Sequence, residues 1–119
     1  MKKNILILQL SLVAMCAGLL TGCTTTSDCT VLSSKLVRLS DFDLDKADRK
    51  PAYGEDVQPF LLGIPLASPP SLKQALDNAL DQSGGDVMTD VRVKYWDWTI
   101  ILYGEQGWSV KGTSVKTRN

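Results

Sequence analysis

Few side chains in this 119-residue chain are able to make, break or direct a bond, and their types narrow the chemistry at once. There are three cysteines, Cys16, Cys23 and Cys29, and no histidine. Without an imidazole there is no Ser-His-Asp or Cys-His constellation, no histidine metal site and no ordinary general base at neutral pH. No Gly-x-Ser-x-Gly, P-loop or dinucleotide fingerprint occurs either. Carboxylates remain, and Asp41-Phe42-Asp43-Leu44-Asp45 has the alternation of a calcium loop. Such a loop needs glycine at its sixth position and glutamate at its twelfth, where this chain has Lys46 and Ala52. No metal or cofactor is therefore expected. Two features are left: Cys23 as a nucleophilic thiol, and Tyr95-Trp96-Asp97-Trp98 as an aromatic cluster suited to recognition.

The setting of Cys23 gives its thiol a role. Lys2 and Lys3 precede a mostly apolar run over residues 5 to 20, which has the layout of a secretory signal with a basic start and an apolar middle. A spanning helix needs about 20 predominantly apolar residues, and this run contains Gln9 and Ser11 before it stops at Thr21-Gly22. It is also apolar nearly all round, unlike a core helix with one polar face. At its end stands Leu20-Thr21-Gly22-Cys23.

That tetrapeptide resembles the lipobox of bacterial lipoproteins, in which a leucine three residues before the cysteine and a small residue just before it frame a cleavage site. The resemblance implies a diacylglyceryl group on the Cys23 thiol, cleavage after Gly22 and acylation of the new amino terminus. Two or more acyl chains suffice for stable anchoring, each buried CH2 contributing about 0.8 kcal/mol. Thr24, in place of the aspartate that retains Gram-negative lipoproteins at the inner membrane, implies delivery to the outer membrane. An ordinary secretory signal with an incidental cysteine is the competing reading.

Removing 22 of the 119 residues leaves 97, enough for one small domain. Loss of Lys2 and Lys3 leaves 11 basic against 13 acidic residues, a net charge of −2. That offers no basic field to nucleic acid or to anionic headgroups. Cys29 is then a lone thiol in an oxidising compartment, open to an intermolecular disulfide between two copies or to a partly buried, unpaired state. Were Cys23 not lipidated, a Cys23–Cys29 bridge would be a further option.

The elements that must position these residues follow from periodicity. Residues 23–30 are short and polar and read as a lipidated tether to a single domain over 31–119. Residues 30–40 read as a first strand, 41–59 (nine charges, two prolines, a glycine) as an irregular connection, and 60–66 as an edge segment or loop. A helix is predicted after Pro69-Pro70, with Ser71 and Gln74 as a capping box. Its stripe is Leu72, Ala75, Leu76, Ala79 and Leu80, and Gly84-Gly85 ends it. From Asp86 the period becomes two, with Val87, Val91, Val93 and Tyr95 on one side. Runs over 98–103 and 108–116 flank a turn at 104–107. The expected fold is α+β, a small antiparallel sheet of three to four strands with one helix packed on one face.

"LKQALDNALDQSGGDVMTDVRV", "WTIILYG" and "WSVKGTSV" together resemble small bacterial envelope lipoproteins of the TRL-like type, over roughly residues 60 to 115. The resemblance brings no catalytic residues with it. The expected function is a lipid-anchored, periplasm-facing binding or structural module, not an enzyme, at the outer membrane. Its candidate contact residues are Trp96 and Trp98, and its partner an envelope protein or a glycan. In a regular strand both tryptophans point away from the helix, whereas a bulge at Asp97 would return Trp98 to the core, and a second small apolar cluster beside Trp108 is a further option. An inhibitor or immunity-type lipoprotein that blocks an enzyme shares every feature above. A small carboxylate-dependent cell-wall hydrolase is weighed against by the missing histidine and nucleophile motifs.

Overall fold

Pro69 and Pro70 keep the chain out of helix until Leu72, and Gly84 stops the helix at Ser83 by taking a left-handed conformation (φ 70°, ψ 24°). The amides of Gly84 and Gly85 both donate to the Leu80 carbonyl, at 2.8 and 3.2 Å. The computed structural model describes residues 2–17, 20–38, 40 and 47–116. In chain order these hold α1 (Lys2–Ala17), β1 (Leu20–Leu32), β2 (Arg49–Leu61), β3 (Ile64–Pro65), α2 (Leu72–Ser83), β4 (Val87–Ile100) and β5 (Tyr103–Val115). The strands form one antiparallel sheet in the order β1-β4-β5-β2-β3. The domain is thus α+β, with five strands in place of three to four and a second helix, α1, ahead of the sheet. No helix among the described residues is long and apolar enough to cross a membrane.

The stripe of α2 lies where its spacing puts it. Ala75, Leu76, Ala79 and Leu80 are buried, and Leu72 packs against the edge of the same core. They meet Ala52, Met88, Val91, Val93 and Val110 from the sheet. The expected capping box does not form: Ser71 has the extended backbone of an N-cap, but its side chain caps nothing. The Ser71 amide instead donates to Asp56 Oδ2 at 2.8 Å, so β2 supplies the anion at the helix start. Gly54 is what lets α2 sit so close, since a Cβ there would collide with the Ala75 carbonyl and the Ala79 amide.

Three expectations are corrected by the strands. The first strand lies at 20–32, not 30–40, so residues 23–30 are an edge strand paired with β4 and not an irregular segment. Over 41–59, residues 49–59 belong to a thirteen-residue strand paired along its whole length with β5. Pro51 and Pro59 misled because proline is tolerated where a strand edge is open, and β3 pairs only with Phe60 and Leu61. Residues 41–46, which hold the Asp41–Asp45 run, lie outside the described residues.

The third correction concerns the turn. The chain reverses at Ile101-Leu102, and Gly104 and Gly107 fall inside β5. Those glycines clear space for side chains: a Cβ at Gly104 would strike the Phe60 ring, and one at Gly107 would lie 3.1 Å from Trp96 Cζ2. Both apical residues that bend the chain are aliphatic with positive φ, Ile101 at 56° and, between β2 and β3, Leu62 at 54°. A left-handed conformation costs such residues roughly 1–2 kcal/mol each.

Leu76→Asp, which places an unpaired charge under α2, should cost more than about 4 kcal/mol in urea unfolding. Gly54→Ala should cost about 1–3 kcal/mol by forcing the helix off the sheet. Lys73→Gln, which removes an exposed pair with Asp77, should leave the midpoint almost unchanged. Equal midpoints for all three variants would mean that α2 is not docked on β2.

Candidate functional site: an exposed cysteine and an aromatic face

Because α2 covers the inner face of the sheet, strand alternation decides what the other face carries. Val91 and Val93 are buried beneath the helix side, so Arg92, Lys94, Trp96 and Trp98 point outward. The bulge considered at Asp97 is absent, and pairing runs unbroken from Arg92↔Lys111 to Ile100↔Tyr103. The register shift lies between Thr89 and Arg92, where Asp90 has a φ of 52°. That shift breaks the alternation expected from Val87 to Tyr95: Met88 joins the helix-side core, and Val87, though buried, lies outside that cluster.

Trp96 and Trp98 are both half-buried. Trp98 packs against Tyr103 across the β4–β5 turn, with ring centroids 5.8 Å apart and planes tilted by 60°. The same face holds Tyr53, half exposed, and two residues on Glu55, whose Oε2 accepts the Tyr53 hydroxyl at 2.6 Å. Tyr103 repeats this with Glu105 at 2.7 Å. The hydrogen bond to each carboxylate first, then desolvation of the phenol and the carboxylate's negative charge, raise each phenol pKa above its ordinary value. On the β1 side, Arg92 Nε pairs with Asp28 Oδ1 at 2.9 Å.

The two tyrosines and their glutamates are the residues that sequence reasoning passed over. Tyr53 falls in a segment whose charges and prolines read as irregular, and Tyr103 in the run just before the glycines that read as a turn. A signal was present: Tyr-Gly-Glu occurs twice, at 53–55 and 103–105. In each copy the glycine lies on the helix side under a close contact while the tyrosine and glutamate share the outer face.

Cys23 lies on β1 with its thiol exposed and free, opposite Asp97 in the register. Its backbone N–H donates to Asp97 Oδ1 at 2.6 Å. Cys29 is half-buried and packs against the helix-side core. Six residues of extended strand separate the two thiols by about 20 Å, whereas a disulfide requires Cα atoms within about 7 Å. A Cys23–Cys29 bridge is therefore incompatible with β1. The structure does not put Cys23 and the tryptophans on one face. It makes them near neighbours through the sheet, since Trp98 pairs with Gly22 and Trp96 with Thr24.

On the helix side, α2 packs on β2 and β5, and an open hollow of about 280 Å³ lies between β1 and Trp108, lined by Thr25, Ser27, Val93, Tyr95 and Trp108. Tyr95 and Trp108 pack at 5.0 Å, and a hydrogen-bonded row runs from the Tyr95 hydroxyl through Gln106 and Gln58 to the Ala67 carbonyl. Among the described residues no three carboxylates or thiols come together to hold a metal. What the outer face offers chemically is stacking on indole and phenol rings, with carboxylates and cations at its border. No family model, curated protein or solved structure matches this chain.

Trp96→Ala should weaken capture of a bound partner in cells crosslinked before lysis. It should cost less stability than the about 3–5 kcal/mol of truncating a core aromatic residue. A larger loss measured by urea unfolding would assign Trp96 to packing and move the contact surface elsewhere.

Proposed function

We propose that this chain is a lipoprotein of the bacterial cell envelope, cleaved after Gly22 and held by a diacylglyceryl group on Cys23. The observation that carries this reading is Leu20-Thr21-Gly22-Cys23 directly after a basic start and an apolar run. Thr24 directs it to the periplasmic side of the outer membrane. The exposed Cys23 thiol and the exposed aliphatic side chains of α1, among them Ile7, Leu8 and Leu10, accord with a leader that is not part of the core.

The domain then acts as a non-enzymatic binding or structural module. Its contact surface is the outer face around Trp96 and Trp98, bordered by Tyr53 and Tyr103. Half-buried indoles give large contact area at little cost in side-chain ordering, which suits recognition of an envelope protein or a glycan.

Cys23→Ala should abolish incorporation of a fatty-acid analogue and leave the precursor uncleaved or release the domain from membranes. Unchanged labelling in that variant would remove the basis for the lipoprotein reading. In-cell crosslinking from the outer face, followed by identification of what is captured, tests the module reading separately.

A further inference from the structure

Two turns meet at one end of the sheet, where the Leu62 amide donates to the Leu102 carbonyl at 2.6 Å. Around them stand Leu62, Ile64, Leu66, Ile100, Ile101 and Leu102, each between 49 and 65 % exposed. No charged residue occurs from Val57 to Leu72 or from Trp98 to Gly104. A contiguous apolar patch of this kind marks a contact surface. Leu62 and Ile101 also hold positive φ at the two apices, where glycine or asparagine would be relaxed. Backbone strain is tolerated to keep an aliphatic side chain there, so the side chain is what those positions contribute.

We infer that this end of the sheet is a membrane-contacting tip, whose aliphatic apices enter the acyl boundary of a lipid bilayer. The strand register supplies the first argument. Leu20 pairs with Ile100, so the apolar run of residues 5–20 joins the sheet at this end and no other. Cys23 pairs with Asp97, three residues from Ile100, or about 10 Å along the strand. The inference rests on the lipoprotein reading for that acyl attachment in the cleaved chain, whereas in the uncleaved chain the apolar run itself arrives at the tip through Leu20.

Shape and composition supply the second. The patch is two convex turns, which penetrate a fluid surface without needing a matching pocket. The Trp98–Tyr103 pair sits just behind the apices, where an aromatic belt meets the headgroups. With no lysine or arginine in either turn, contact is made through the acyl region and does not depend on anionic lipid.

The test uses the full chain in vesicles of phosphatidylethanolamine and phosphatidylglycerol that carry a clickable phosphatidylethanolamine. A photoreactive benzophenone residue is placed at 62, at 101 or, for comparison, at 111, about 26 Å along β5 from Tyr103. Thermal melts first establish that each variant is folded. Lipid should be captured strongly from 62 and 101 and weakly from 111, in both the Cys23 protein and the Cys23→Ser variant. Capture no stronger from the tip than from 111, or capture of a second copy of the chain, overturns the tip. Fatty-acid labelling run in parallel keeps the two readings apart. Absent labelling with lipid capture from 62 and 101 sinks the lipobox alone, and labelling without capture sinks the tip alone.

Discussion

Gly54 brings the backbone of β2 against the backbone of α2, at a separation that leaves no room for even a methyl group. Ala75 and Ala79 present the matching small surface on the helix. This contact decides which face of the sheet is inner, and the two-residue period then propagates the decision across β5 to β4. Val110 and Val93 turn inward, and Trp96, two strands away from Gly54, turns outward. The aromatic face is therefore a consequence of how closely one helix can approach one strand.

The two Tyr-Gly-Glu segments show the same logic in miniature. Strand geometry sends the glycine to one side and its neighbours to the other. One short sequence thereby provides close packing inside and a tyrosine–carboxylate pair outside. Gly54 makes way for α2 and Gly104 for the Phe60 ring. Tyr53 and Tyr103 occupy different strands and different heights, so the outer face is framed at two places by the same local device.

What was legible in the sequence was what periodicity and end signals encode locally. The stripe of α2, its stop at Gly84, and the outward phase of Trp96 all follow from spacings within a dozen residues, whereas the side taken by Trp98 turned on whether a bulge interrupts the strand at Asp97. What was not legible depended on partners distant in the chain. Residues 49–59 carry charges and prolines that argue for a loop, yet β5 offers them a complete ladder and an open outer edge removes the penalty on proline. Gly104 and Gly107 read as a turn because glycine most often means φ freedom. Here they mean space, and the reversal falls on Ile101, a β-branched residue that local rules would keep out of a turn. The tip was invisible for the same reason, since its apolar residues come from two turns about forty residues apart in sequence.

The position of β1 sets how such a domain would stand on a membrane. A polar tether over residues 23–30 would let the sheet tumble, but these residues are hydrogen-bonded to β4, and the Cys23 amide is held by Asp97. Acyl chains on Cys23 would then pull directly on an edge strand, with no slack between lipid and sheet. Lying flat on the outer face would press Arg92, Lys94 and Lys111 toward hydrocarbon, which is costly for each cation. Standing on the tip sends only uncharged turns downward and leaves Trp96, Tyr53 and their charged border facing sideways into the aqueous space. With acyl chains on Cys23, the strand that would carry the attachment point would favour an upright posture, and that posture would leave the outer aromatic face open to the aqueous space beside the membrane.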